Sequence, residues 1–264
     1  MTPRFGVTWS LSLATLLLGG CASVQHREDE LAQRVRLGIV EGMAERGEWG
    51  AALAASDALT QEAPSNTRAR LLRARALRHA GMTAEAESDL RRVLKEEPRN
   101  AAAHAELGVV CEQAGKAAEA LEHHREALRL APGDPRYLNN LGFALTIRGK
   151  PREAVPLLEE ALRTEPGNAR LRNNLGFAYA ATGDFARSAR QFQLAGVPAH
   201  AKNNLGLAYE LNGHPVQAFD LYLEAWKLER APRTRNNLVH VAQKLGRSVP
   251  PEVDAAAGAE KGGI

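Results

Sequence analysis

Residues 135–168 read PRYLNNLGFALTIRGKPREAVPLLEEALRTEPGN, and this stretch decides the fold. Its first half places Leu138, Leu141 and Leu145 at the spacing of one buried helix face. Asp134 stands directly before a proline, and this order is typical of a helix start. The acid caps free N–H groups, and the proline occupies a position where its missing donor costs nothing. The first half is therefore predicted to be an amphipathic α-helix.

The second half of the stretch predicts a second helix packed against the first. Gly149 ends the first helix, since the residue beyond a helix often needs positive φ. Pro151 then opens a second apolar pattern with helical spacing, and Pro166 stops it. The small residues Gly142 and Ala154 allow the two backbones to approach closely. We expect a helix–turn–helix unit.

The same unit recurs along the chain with a period of 34 residues. Three residue classes share this period, which makes a chance pattern untenable. They are prolines (Pro64, Pro98, Pro132, Pro166), glycines (Gly47, Gly81, Gly115, Gly149, Gly183) and Leu-Gly pairs (Leu107-Gly108, Leu141-Gly142, Leu175-Gly176, the last pair at Leu205-Gly206 coming four residues early).

These units resemble the tetratricopeptide repeat (TPR) family. The unit that begins at Ala169 carries the family's residues at their usual offsets, with Ser188 in an alanine place: Leu175, Gly176, Tyr179, Gly183, Phe192 and Ala195. The resemblance implies an all-α, right-handed solenoid of helix–turn–helix repeats with a C-terminal capping helix. It also implies a concave groove lined by the first helix of each repeat.

The repeat pattern divides the chain into six units and three flanking segments. The fifth unit is four residues short, which removes about one helical turn. The tail after Gly246 has no helical stripe and is predicted to be disordered. The segments are a tether (21–32), six repeats (33–66, 67–100, 101–134, 135–168, 169–198, 199–231), a capping helix (232–246) and a tail (247–264).

The N-terminus resembles a bacterial lipoprotein signal. Residues 1–20 place Arg4 before an apolar stretch that is too short for a comfortable membrane span. Leu18-Gly19-Gly20-Cys21 resembles a lipobox, which implies acylation of Cys21. The alternative is an ordinary signal peptide with an incidental cysteine. Ala22 favours the outer membrane under lipoprotein sorting rules. We therefore expect a periplasm-facing outer-membrane lipoprotein.

Asparagine pairs occupy the fifth and sixth places of four first helices. Asparagine is a mediocre helix former, so helix propensity does not account for them. In the TPR family the sixth place faces the groove, where a carboxamide both donates to and accepts from a peptide backbone. Asn140, Asn174, Asn204 and Asn237 are thus candidate peptide-binding residues. The alternative is that these pairs hydrogen-bond between neighbouring repeats or descend from duplicated ancestors.

Basic and aromatic residues extend this candidate groove. Arg136, Arg170 and Arg233 stand at the second place of their helices, with His200 in the equivalent position. They favour an acidic or C-terminal carboxylate partner. The two-carboxylate clamp of chaperone-binding TPR proteins is not matched, because asparagines stand where it needs lysine. The ninth places hold Phe143 and Phe177, which are either groove anchors or packing residues.

Other kinds of chemistry are poorly supported. The chain is 44% hydrophobic but only 5% aromatic, which argues against an all-β fold. A net charge of +3, without aromatic platforms or a nucleic-acid motif, does not indicate RNA or DNA binding. His123-His124 point about 100° apart on a helix, so a metal site is not expected, and Cys111 is interpreted as a buried small residue. No catalytic constellation emerges; we expect neither an enzyme nor a bound cofactor.

The sequence therefore predicts a lipid-anchored scaffold that binds a peptide segment or protein subunit during assembly of an envelope complex. The segment after the short unit is similar to TPR lipoproteins of the tight-adherence (Tad/Flp) pilus system, which implies secretin or pilus subunits as partners. A type IV pilus pilotin is one alternative. An adaptor for peptidoglycan enzymes or for outer-membrane protein assembly is another. A periplasmic enzyme or glycan-binding module would belong to a different class.

Overall fold

A computed structural model describes residues 30–253, and every regular element in this range is helical. The prediction of an all-α fold built from consecutive helix pairs is confirmed. Within the described range no helix combines the length and apolar character needed to cross a bilayer. The signal peptide and Cys21 lie outside the described residues. The chain divides into two compact units between Pro98 and Arg99.

From residue 30 onward, the N-terminal unit contains two helix pairs. Leu37, Val40, Leu59 and Leu72 form its buried core. The helices are α1 (residues 30–45), α2 (Trp49–Glu62), α3 (Thr67–His79) and α4 (Thr83–Glu96).

Over its described residues, the C-terminal unit contains four helix pairs, one further helix and a short helical segment at residues 251–253. Asn100, Asp134 and Asn168 cap the first helices of successive pairs by accepting hydrogen bonds from backbone N–H groups. The helices are α5 (Ala101–Gln113), α6 (Ala117–Leu130), α7 (Pro135–Ile147), α8 (Pro151–Thr164), α9 (Ala169–Ala181), α10 (Phe185–Leu194), α11 (Pro198–Leu211), α12 (Pro215–Leu228) and α13 (Pro232–Leu245).

Glycines inside four of the first helices set how closely those helices pack against their partners: Gly108, Gly142, Gly176 and Gly206. A Cβ atom on Gly142 would lie 2.6 Å from Cγ of Leu158, and one on Gly176 would lie 2.7 Å from the ring of Phe192. Both opposing side chains are almost fully buried. The two helices of a pair therefore pack at a distance that only glycine permits. Gly149 has φ of 69°, as its predicted place beyond the helix end requires.

The four residues that the fifth repeat lacks are absent from its second helix. Helix α10 has 10 residues, whereas the equivalent helices α8 and α12 each have 14. Helix α11 still packs against both α10 and α12. The deletion of about one turn therefore leaves the stacking of helices intact.

The segment after α13 differs from the prediction of disorder over its described part. Val253 is fully buried in a cluster with Trp226 and Leu238, and Val249 packs beside it. Pro250 and the backbone N–H of Val253 close a turn that brings these valines to the core. The prediction failed here because two isolated valines produce no helical periodicity. Residues 254–264 lie outside the described range.

Candidate functional site

The first helices of the C-terminal unit line one continuous surface. Helix α7 contacts α9, α9 contacts α11, and α11 contacts α13, while each second helix packs mainly against its own partner and the next first helix. The first helices are thus the more closely spaced row, which places them on the inner, concave side of the stack. We call this surface the groove.

The asparagine pairs connect successive first helices along the groove. Three of the four sixth-place carboxamides donate a hydrogen bond from Nδ2 to Oδ1 of the fifth-place asparagine in the preceding repeat. We call this series the asparagine ladder. Its bonds are Asn174 to Asn139 at 2.7 Å, Asn204 to Asn173 at 3.2 Å, and Asn237 to Asn203 at 3.0 Å.

The ladder matches the alternative interpretation of the sequence, in which the asparagine pairs hydrogen-bond between neighbouring repeats. The fifth-place asparagines that accept these bonds were not among the candidates from the sequence. Each of them directly precedes a candidate, and this pairing was the signal that could have identified them. Asn139 and Asn203 are only 5% and 4% exposed. The sixth-place asparagines are half-buried, and each still presents its Oδ1 to the groove without a hydrogen-bond partner in the described residues. Binding of a peptide by these residues stays a prediction.

Asn140 stands at the N-terminal end of the ladder and differs from the other three. The residue that would accept its bond, at the fifth place of the preceding repeat, is Ala105. Its half-buried carboxamide therefore makes no hydrogen bond within residues 30–253. Among the candidates, Asn140 is the one whose polar groups are not used between repeats.

The predicted basic residues fall into two groups. Asp134 engages Arg136 through Nε at 3.1 Å and Nη2 at 2.7 Å, which neutralises that guanidinium and holds the pKa of Asp134 below its ordinary value. His200 lies 3.5 Å from Glu229. By contrast, Arg170 and Arg233 are exposed and form no ion pair with any described residue. The groove therefore has fewer basic side chains without a carboxylate partner than the sequence indicated.

The two phenylalanines also differ from each other. Phe143 is 41% exposed, and Ile147 one turn later is 59% exposed, so together they form an apolar patch on α7. Phe177 is partly buried and meets Phe192 edge to face at 5.0 Å between ring centroids. Phe143 has the exposure expected of a groove anchor, whereas Phe177 packs in the core.

The other candidates occupy packing positions. Cys111 is fully buried, and the buried ring of His124 lies against Gly108. His123 points to a different neighbour, with its Nδ1 3.0 Å from Nδ1 of His104. No group of three or more potential metal ligands occurs within residues 30–253.

Comparisons with known proteins agree with this architecture. Three tetratricopeptide-repeat family models match residues 67–92, 99–164 and 145–209. No curated protein sequence matches the chain.

Solved structures with the same fold share little sequence. PilF of Pseudomonas aeruginosa has a TM-score of 0.62 at 17% identity, and the match covers 81% of this chain and 98% of that one. PilW, described as a widely conserved type IV pilus biogenesis factor, has a TM-score of 0.65 at 16% identity, covering 78% and 98%. YrrB, a TPR protein with an unusual peptide-binding site, has a TM-score of 0.54 at 19% identity, covering 71% and 97%.

Proposed function

The chain is a tetratricopeptide-repeat protein, and we propose that it is a lipid-anchored scaffold that holds a peptide segment or subunit during assembly of an envelope complex. The groove of the C-terminal unit is its binding surface. The partner belongs to a pilus or secretion apparatus, with a secretin or pilus subunit as the first candidate. Cys21 carries the anchor and holds the protein at the periplasmic face of the outer membrane.

The observation that carries this proposal is the row of carboxamide oxygens without hydrogen-bond partners in the described residues, beside two arginines without ion pairs there and an exposed aromatic ring. Extended peptides present one N–H and one C=O per residue, which amide side chains match without reading the peptide's own side chains. Arg170 and Arg233 add attraction for carboxylates. Phe143 offers apolar contact, as aromatic residues do at the centre of many interfaces.

The pilus assignment draws on two further observations. The structures of PilF and PilW resemble this chain over nearly their full length, and PilW is described as a type IV pilus biogenesis factor. The fifth unit and the sequence that follows it are similar to tight-adherence pilus lipoproteins. The likeness of fold to PilF and PilW and this interpretation of the sequence are what support an envelope machine built around a pilus.

A pilotin-like role is the second candidate, and the patch of Phe143 and Ile147 favours it. A pilotin holds an amphipathic helix of a secretin, which needs exposed apolar side chains in the groove. Ile147 is 59% exposed on the same helix face as Phe143. The two candidates differ in whether the partner binds as an extended chain or as a helix.

The test is affinity capture from detergent-solubilised envelopes with Asn140→Ala and Phe143→Ala combined. These two residues are chosen because neither makes an inter-repeat hydrogen bond, unlike Asn174 and Asn204. Arg163→Ala, at an exposed position of α8, is the control. We expect a secretin or pilus protein with wild type and control, and recovery lowered at least about fivefold in the double variant. Equal recovery with wild type and the double variant would reject the groove as the binding surface. Capture of cell-wall hydrolases instead of a secretin or pilus protein would reject the pilus assignment.

The anchor has its own test in fractionation of cell envelopes. Wild-type protein should sediment with outer membranes, and Cys21→Ser should appear in the periplasmic fraction. A variant that stays with the outer membrane would exclude acylation of Cys21 as the attachment.

A further inference from the structure

An apolar face of helix α1 points away from the core of the N-terminal unit. Leu31, Val35 and Ile39 are 57%, 55% and 52% exposed, and their four-residue spacing places them on one side of the helix. The buried residues Leu37 and Val40 lie on the other side, in the core of the unit. The first helix of a repeat stack normally has a polar outer surface. An apolar outer face on α1 therefore indicates that another surface covers it.

The size of the residues on this face changes along the helix. The large side chains of Leu31 and Val35 occupy its first half, whereas Gly38 and Gly42 occupy its second half. A Cβ on Gly38 would meet nothing within 4 Å, and one on Gly42 would meet only the tip of the Arg46 side chain. The backbone is thus open to a close approach there. A second α1 helix in the opposite direction sets the large residues of each copy against the glycines of the other.

The charges along one edge of the face fit the same arrangement. Arg34 and Glu45 lie on the same edge, about three helical turns apart. Both are exposed, and neither forms an ion pair with any residue of the described range. In a two-fold symmetric, antiparallel pair of helices, the same edge of each helix meets its counterpart. Arg34 of one copy then faces Glu45 of the other, and the symmetry produces this contact twice.

Other ways to cover the face fit the sequence less well. Residues 22–29, which precede α1, read ASVQHRED and contain one large apolar residue, Val24. That segment has too little apolar surface to cover three exposed aliphatic side chains. Helices that lie on membranes carry mostly lysine and arginine beside their apolar face. Here the bordering charges, Arg34 and Glu45, have opposite signs, which favours a protein surface with the complementary order.

We propose that the outer face of α1 binds a second copy of this chain, with the two α1 helices packed antiparallel about a two-fold axis near Gly38 and Ile39. The contact lies entirely on the N-terminal unit and uses no residue of the groove. A dimer of this kind carries two copies of the groove, which strengthens binding to a partner that has repeated subunits. The proposal does not depend on the scaffold function above.

The first test is oxidative crosslinking in whole cells. Gly38→Cys places a thiol beside the two-fold axis, where the Cα atoms of the two copies fall within the distance of about 7 Å that a disulfide needs. Treatment with copper phenanthroline should give at least about fivefold more covalent dimer than Ser88→Cys, since only the first pair of thiols lies in reach. Ser88 is the control because it is exposed on α4 of the same unit. Wild type, with Cys21 and Cys111, supplies the background.

The second test exchanges charges within the Gly38→Cys chain. Arg34→Glu alone and Glu45→Arg alone should each lower the yield of covalent homodimer at least about threefold, because like charges then meet at both contacts. The two single variants, coexpressed with different tags, should crosslink to each other at the level of the parent chain. The double variant should crosslink to itself at that level as well, since its charges are complementary again.

Four results would overturn the proposal. Equal yields from Gly38→Cys and Ser88→Cys would mean that α1 does not meet a second copy. A crosslinked product of different mass would assign the face to another protein. Protection of the Gly38→Cys thiol from a polar maleimide until detergent is added, without a covalent product, would assign it to the membrane. Coexpressed single variants that fail to crosslink would reject the antiparallel arrangement. Partner capture by the groove is measured separately, so the two proposals fail independently.

Discussion

At the scale of single residues, each donating asparagine of the ladder uses its Nδ2 for a bond to the preceding repeat and leaves its Oδ1 open to the groove. Asn174 donates to Asn139 at 2.7 Å, and its Oδ1 stays open toward the groove. The buried Asn139 depends on this bond, because burial without a partner carries a desolvation penalty. The ladder therefore stabilises the stack, whatever else the groove binds.

This division predicts different stabilities for two asparagine variants. Asn174→Ala should lower the free energy of unfolding by about 1–2 kcal/mol, since it leaves Oδ1 of Asn139 unpaired. Asn140→Ala should lower it by less than about 0.5 kcal/mol, because no bond is lost. Urea denaturation followed by circular dichroism measures both. Equal losses would mean that the ladder hydrogen bonds do not stabilise the fold.

The sequence identified the asparagine pairs but not how they are used. Identical residues in adjacent places gave no indication of which one donates, since that depends on the axial offset between neighbouring repeats. The separation in sequence between the bonded residues changes at the short unit, where it is 31 positions instead of 34 or 35. The ladder continues across this unit because the deletion removes about one turn.

At the scale of helices, close packing within a pair depends on glycine. A Cβ on Gly176 would fall within 2.9 Å of three atoms of the Phe192 ring, which is buried. The sequence predicted a close approach from the small residues Gly142 and Ala154, and the structure places the buried side chain of Leu158 against Gly142.

Gly176→Val should therefore destabilise the fold by about 2–3 kcal/mol, since overpacking exceeds the small gain in helix propensity. Gly167→Val is the matched control. A Cβ at Gly167 meets nothing within 4 Å. Its effect should stay within about 0.5 kcal/mol. Thermal melts of both variants decide this, and similar melting temperatures would show that the pair has room for a side chain.

A tyrosine joins two helices through a bond that depends on pH. Tyr179 on α9 donates its hydroxyl to Glu159 on α8, and burial with this bond raises its pKa from 10.0 to about 12. A raised pKa means that the folded state favours the protonated form. The stabilisation is fully present below pH 10 and is lost as pH rises toward 12.

The measurement is urea denaturation between pH 8 and 11.5, with Tyr179→Phe as the control. Wild type should lose about 1–2 kcal/mol more than the variant across this interval, because pH 11.5 lies above the unfolded pKa but still below the folded one. Parallel pH profiles would show that the Tyr179 hydroxyl titrates normally.

At the scale of the whole molecule, periodicity was sufficient for the architecture but not for where the fifth repeat is shortened. Pro135, Gly142 and Gly149 set element boundaries and packing through local rules, so they could be read from the sequence. The location of the missing four residues could not be read from the sequence, because a deletion in the connection and a deletion in α10 give the same repeat length. The burial of Val253 also escaped prediction, since it depends on tertiary contacts alone.

The central claim is that the partner binds on the first-helix side of the C-terminal unit. The most direct measurement replaces Phe143 with a photo-crosslinking phenylalanine derivative in living cells, and Arg163 on the outer helix α8 likewise. We expect Phe143 to crosslink to a secretin or pilus subunit and Arg163 not to. Crosslinks from Arg163 alone, or the same partner from both positions, would contradict it.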